Sequence, residues 1–184
     1  TAISFLAGGI SLLVGDSDGR ITQWFPKRDP NNNQVLIKVR DFHDQQAPIL
    51  AIAPEERRKG FVAADNTGQL GLYHATAHRT VLVKSISDTA ITHLALAPRA
   101  NTLLAEDAKG MLHLWNIHNE HPEISWATLW HKTWYENYEK PEYIWQSSAA
   151  TNDFEPKFSL MPLAFGTLKA AFYAMLIATP LAIF

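Results

Sequence analysis

Three glycines in equivalent settings limit what this chain can fold into. When LLVGDSDGRITQWF from Leu12, FVAADNTGQLGLYH from Phe61 and LLAEDAKGMLHLWN from Leu103 are superposed, Gly19, Gly68 and Gly110 coincide. Asp16, Asp65 and Asp107 precede them by three residues, and Trp24, Tyr73 and Trp115 follow by five. In each copy an apolar stretch runs into an acidic turn and leaves it as alternating apolar and polar residues. In the third copy Leu112 and Leu114 alternate with His113 and Trp115. A period of two is the signature of a strand, and a turn glycine supplies the positive φ that a tight hairpin needs. The spacing therefore predicts three β-hairpins, with Asp16, Asp65 and Asp107 serving their turns.

A second repeated element precedes two of the hairpins. Ile49 to Pro54 (ILAIAP) and Thr92 to Pro98 (THLALAP) are apolar strands ending in Ala-Pro. The offset is 44 residues between Pro54 and Pro98 and 42 between Gly68 and Gly110. Apolar strand, Ala-Pro, turn, apolar strand, Asp-containing turn with Gly and aromatic-ended strand is similar to a blade of a WD40-type β-propeller, whose period is ~40 to 45 residues. The Trp-Asp pair of that family is missing, since Asn116 follows Trp115 and His74 follows Tyr73. The expected fold is mainly β: about three WD40-like blades over residues 1–122, then a short aromatic helix and a C-terminal apolar helix.

Closed propellers hold about four to eight blades, because an open end leaves an unpaired, partly apolar face. The first repeat begins almost at Thr1, with no initiator Met, and nothing after Asn116 repeats the pattern. The chain is expected to be a fragment carrying the final blades of a larger propeller, able to close by self-association. A net charge of −2, with no basic stripe beyond Arg57-Arg58-Lys59, argues against nucleic-acid binding. The absence of cysteine excludes disulfides and thiol chemistry.

Residues 123–157 form an aromatic stretch and a linker. Trp126, Trp130, Trp134 and Tyr138 recur every four residues, which predicts a helix over 125–138 with the rings along one face. Two readings of that face stay open. The rings plug the open propeller edge, or some of them join Tyr143 and Trp145 at a lipid headgroup boundary, where amphipathic aromatics collect. Pro141 is expected to end or bend the helix, and 147–153 reads as a polar linker and domain boundary.

Residues 160–184, LMPLAFGTLKAAFYAMLIATPLAIF, carry a single charge, Lys169. At ~1.5 Å per residue such a helix covers ~37 Å, against a hydrocarbon layer of ~30 Å. It is either a membrane span or a deeply buried core helix. Pro180 favours a membrane bundle, where neighbouring helices satisfy the freed carbonyl; Lys169 is costly at bilayer depth unless it snorkels or faces protein or water.

The run from Glu155 to Phe184 resembles the entrance to the permease domain of the phosphate-specific ABC transporter. There a Gly-Thr-Leu, here Gly166, Thr167 and Leu168, opens a membrane helix ending in Ala-x-Pro-Leu-Ala, here Ala178 to Ala182 with Pro180. The preceding TWYENYEKPEYIWQSSAATNDFEPK is similar to the linker of a long permease variant with an extra domain outside the membrane. The resemblance implies a bacterial inner-membrane subunit with residues 1–157 on the periplasmic side and 158–184 beginning the permease region. It also implies a second permease, an ATPase and a periplasmic phosphate-binding protein as partners, with capture of phosphate and hydrolysis of ATP carried out by those other subunits.

Catalytic motifs do not emerge. Gly-x-Ser-x-Gly and P-loop patterns are absent, and His113, His118 and His121 lack a fourth zinc ligand. No cofactor or enzymatic activity is expected. Two functional classes remain: a transporter subunit whose propeller meets protein partners, and a soluble WD40-like interaction scaffold whose apolar helix is internal.

Overall fold

The computed structural model describes residues 1–148 and 155–183. Two four-stranded antiparallel sheets and one three-stranded sheet follow one another along the chain. The first comprises β1 (Ala2–Phe5), β2 (Leu12–Gly15), β3 (Ile21–Arg28) and β4 (Gln34–Phe42). The second comprises β5 (Ile49–Pro54), β6 (Gly60–Asp65), β7 (Gln69–His74) and β8 (Arg79–Ser85). The third comprises β9 (Ile91–Leu96), β10 (Thr102–Asp107) and β11 (Leu112–Asn116). These are the blades, and the three hairpins are β2–β3, β6–β7 and β10–β11.

The first strands β1, β5 and β9 pack beside one another, so the blades radiate from a common inner line. Blade 2 lies between the other two, which is why all six residues of β6 are buried although a one-sided strand would alternate. Phe61 and Ala63 face blade 1 in a core with Leu13, Ile21, Phe42, Ile49 and Tyr73. Val62 faces blade 3 in a core with Leu70, Leu72 and Leu103. The register shifts at Gln23/Trp24 in blade 1 and at the equivalent Leu72/Tyr73 in blade 2, where the outer strands β4 and β8 bend away.

Beyond β11 come α1 (Trp126–Trp130), a short pair of β12 (Trp145–Gln146) with β13 (Lys157–Phe158), and α2 (Met161–Ile183). The helix expected over 125–138 is corrected to the five residues of α1. Ser125 and Thr128 cap it reciprocally, each side chain accepting from the other's backbone N–H, and at His131 the backbone is already extended. Tertiary bonds then override the four-residue aromatic spacing. Thr133 and Glu142 exchange backbone hydrogen bonds, the Trp134 carbonyl accepts from Arg40, and Asn137 turns the chain at φ 66°. Pro141 therefore follows a helix that has already ended. Of the expected linker 147–153, only Ser147 and Ser148 fall within the described residues; both are exposed.

Candidate functional site

The repeated aspartates do one job three times. In each hairpin turn the carboxylate Oδ1 accepts from the backbone N–H groups two and four residues later. Asp16 takes those of Asp18 and Arg20, Asp65 those of Thr67 and Gln69, and Asp107 those of Lys109 and Met111, all at 2.9–3.0 Å. Asp29 repeats the device with Asn31 and Asn33 in the β3–β4 turn. Gly19, Gly68 and Gly110 have φ of +80°, +86° and +77°. Their settings differ. A Cβ at Gly19 would lie 2.4 Å from the Gln45 carbonyl oxygen, and one at Gly68 2.1 Å from that of Ser87, both on the connection into the next blade; at Gly110 nothing stands within 4 Å.

The second carboxylate oxygens of Asp65 and Asp107 reach the connection entering their own blade. Gln45 Nε2 donates to Asp65 Oδ2 at 3.4 Å, while Gln45 Oε1 accepts from the Tyr73 hydroxyl at 3.1 Å. In blade 3, Ser87 Oγ donates to Asp107 Oδ2, and His113 Nε2 stands 3.1 Å from it. The His113 hydrogen bond, with the two turn N–H groups and Ser87, holds the Asp107 carboxyl down at about 2. These contacts give the aspartates a structural use.

On the opposite rim, residues 117–148 run back from blade 3 over blade 2 to blade 1. Arg58 donates to the Asn119 carbonyl, Arg79 to that of Ile124, and Ser125 to that of Ala77. On blade 1, Arg40 donates to Gln23, Gln23 to Ser11, and Ser11 to Glu136, whose other oxygen pairs with Lys59 at 2.5 Å. Both members of that ion pair are at most 10 % exposed. Burial lowers the Arg40 guanidinium to about 10 against the pull of Glu155, Tyr135 and Glu136. Burial also raises Glu155, opposed by a Thr76 hydrogen bond and the charge of Lys59. A cavity of about 560 Å³ lies here, bordered by Lys59, His74, Tyr135, Glu136, Glu155 and Lys157 among others. Its charges are mixed and largely engaged with one another. Among the described residues no three His, Cys, Asp or Glu side chains converge as a metal site.

Two stretches of exposed apolar surface stand out among the described residues, beside Ile3 and Phe5 on β1. One is the outward face of blade 3, where Leu104, Met111, Leu112 and Leu114 are exposed. The other is α2, 23 residues long with mean hydropathy 1.5 over its most apolar window and not one buried residue. It is apolar around its whole circumference. Its hydroxyls turn inward: Thr167 Oγ1 donates to the Leu163 carbonyl and Thr179 Oγ1 to that of Met175. Lys169 Nζ lies 5.8 Å from the centre of the Tyr173 ring, and Gly166 has open space around it. Leu168 is exposed, and Pro180 sits inside the last turns without breaking the helix. The foot of α2 is tied to the crossing segment, Leu160 N–H donating to the Leu129 carbonyl and Ser159 N–H to that of Ile144. Exposed Trp130, Tyr143 and Trp145 belong to those same stretches, and Trp126 stands edge-on to Trp130 at 6.3 Å. Trp134 departs from that group to cover Phe25 at 6.0 Å. The aromatic residues thus divide between the rim of blade 1 and the foot of α2.

No protein-family model matches the chain, and no curated protein matches its sequence. Solved structures match its fold. A chain of the mitotic checkpoint complex superposes with TM-score 0.51 at 13 % identity over 62 % of this chain. Sqt1 of Chaetomium thermophilum superposes with TM-score 0.54 at 17 % identity over the same share. The chain spans about a third of the length of these structures, 32 % and 30 %. The fold is that of WD40-like β-propeller blades. Nothing in these likenesses points to a phosphate permease.

Several residues that build the surface have no signature in the sequence. Gln45 and Ser87 lie in connections outside the repeat, and Arg40, Lys59 and Glu136 are far apart in the chain. Strands β4 and β8 were legible in principle, since Val35, Ile37 and Val39 alternate, as do Val81 and Val83.

Proposed function

We propose that this chain is a membrane-anchored β-propeller interaction domain: blades that meet protein partners, held at a bilayer by α2. The observation carrying this reading is the 23-residue apolar helix with every side chain exposed. At ~1.5 Å per residue it reaches ~35 Å, enough to cross ~30 Å of hydrocarbon. A helix apolar on all sides needs either a protein core or lipid around it, and among the described residues none packs a core around this one. Exposed Trp130, Tyr143 and Trp145 near its foot match the aromatic belt found at membrane surfaces.

The finer proposal is that the domain belongs to the permease subunit of an ABC-type phosphate importer of the bacterial inner membrane. Residues 1–157 would stand on the periplasmic side and α2 would open the permease region. Its support is the resemblance carried by Gly166, Thr167, Leu168 and Pro180. A second permease, an ATPase and a phosphate-binding protein are the partners this reading names, with no catalysis assigned to the chain itself. Lys169, set well inside α2, favours a second reading in which the helix packs into a protein partner and the propeller is a soluble scaffold.

Because the chain has no cysteine, topology can be read from one introduced thiol. With Ser17→Cys in the exposed first hairpin, a membrane-impermeant maleimide should label intact spheroplasts, and loss of the protein should lower phosphate uptake. Labelling only after lysis would overturn the periplasmic placement. Unchanged uptake would remove the phosphate assignment and leave the membrane anchor standing.

A further inference from the structure

Trp126 is 78 % exposed, more than any other large apolar side chain among the described residues. Tryptophan is ordinarily well covered, because its ring is a large apolar body with a single polar N–H. Here the local structure holds it outward. α1 is fixed through its inner side, where Thr128 is buried and Ser125 donates to the Ala77 carbonyl of blade 2. Trp126 and Trp130, one turn apart on the other side, stand edge-on to each other at 6.3 Å.

The pair stands at the root of α2. The Leu160 N–H donates to the Leu129 carbonyl at 2.8 Å, which joins the neighbour of Trp130 to the residue just before the apolar helix. Trp145 reaches the same root, its ring packing on Phe158 at 5.8 Å. Whatever medium surrounds Met161, Leu163 and Phe165, all exposed, therefore begins beside Trp130.

The chemistry of the strip says which medium that is. Joints between the blades bring together hydrocarbon groups such as those of Phe61, Val62, Leu70 and Leu103. Around α1 the exposed rings alternate with exposed charges: Lys132 follows Trp130, Glu139 and Lys140 follow Tyr138, and Lys132 Nζ lies 5.7 Å from the centre of the Tyr143 ring. Rings with a wet end and an apolar end, set among charges, suit the headgroup layer. A packed protein joint over the same strip would bury those charges without partners.

Resting on the reading of α2 as a membrane span, we propose that α1 is a foot on the lipid surface, with Trp126 and Trp130 seated among the headgroups of the leaflet that α2 enters. The crossing segment then lies against the bilayer. The hairpin turns of Asp16, Asp65 and Asp107, on the opposite rim, face water, which turns that rim toward protein partners.

The absence of cysteine allows a nitroxide to be placed at single sites. The full chain, reconstituted into phosphatidylcholine vesicles, carries it at Trp126→Cys, at Trp130→Cys, at Leu168→Cys inside α2, or at Ser17→Cys in the first hairpin; all four side chains are exposed. Collisions with oxygen, which concentrates in lipid, are compared with collisions with a water-soluble nickel chelate. The oxygen-to-nickel ratio at 126 and 130 should be several-fold above that at 17 and below that at 168. A ratio at 126 and 130 equal to that at 17, with 168 lipid-exposed, would overturn the foot and leave the span standing. Few collisions with either reagent at 126 and 130 would overturn it as well, by placing protein over the pair. A ratio at 168 as low as that at 17 would refute the span, and the foot with it.

Discussion

Blade 2 and blade 3 carry the same pattern in different surroundings. Leu70 and Leu72 are buried beneath blade 3, while Leu112 and Leu114, at the same repeat positions, face solvent. A Cβ at Gly68 would run into the Ser87 carbonyl, while one at Gly110 would meet nothing within 4 Å. The pattern therefore encodes a strand and its two faces, and the neighbour determines how much each face is worth.

The largest expected contrast is in the core. Phe61 stacks on Tyr73 at 5.0 Å and meets Phe42 edge-on at 5.5 Å, so Phe61→Ala should cost ~3–5 kcal/mol. Leu114→Ala in blade 3 should stay within ~0.5 kcal/mol for the monomer in urea melts. Comparable losses from the two would refute the neighbour argument. Next comes the crossing segment. Glu136→Ala strands the buried Lys59 ammonium and should cost ~3 kcal/mol, whereas Asp41→Ala, which loses an exposed pair with Lys38, should cost under ~1 kcal/mol. A small loss at Glu136 would mean that the segment only rests on the blades.

The turns give a finer comparison. Gly110→Ala should cost ~1–2 kcal/mol from the left-handed backbone alone. Gly68→Ala should cost more, because its Cβ also meets backbone, and equal midpoints in denaturant would remove the claim that the next blade's connection bears on the glycine. Smallest near neutrality is the effect of His74, which is buried with Nδ1 accepting from the Ala77 N–H. Burial and the charges of Arg58, Arg40, Arg79 and Lys59 lower it to about 3. Between about pH 6.5 and 3 the unfolded chain binds a proton there that the folded chain refuses, so stability should fall as the pH drops through that window. His74→Gln should flatten that part of the profile; an unchanged slope would assign it to the carboxylates.

The hairpins were legible because Asp16, Asp65 and Asp107 act within five residues of themselves, and α2 because uniform apolarity needs no partner to be recognised. The end of α1 was illegible for the opposite reason. Trp126, Trp130, Trp134 and Tyr138 keep helical spacing, but Arg40 and Lys59, both remote in sequence, claim the Trp134 carbonyl and the Glu136 carboxylate. The links from Asp65 to Gln45 and from Asp107 to Ser87 were hidden similarly, since each crosses about 20 residues of intervening strand. The periplasmic placement and phosphate assignment rest on the resemblance of the α2 region and await the labelling and uptake assays.

The central claim is that α2 anchors folded blades to a membrane, and carbonate extraction tests it most directly. The full chain expressed in bacteria should stay in the carbonate-washed membrane pellet, and a chain lacking residues 161–183 should appear in the soluble fraction with a β-sheet spectrum, because α2 buries nothing against the blades. A full chain recovered folded in the carbonate supernatant would contradict the account and make α2 a docking helix for protein.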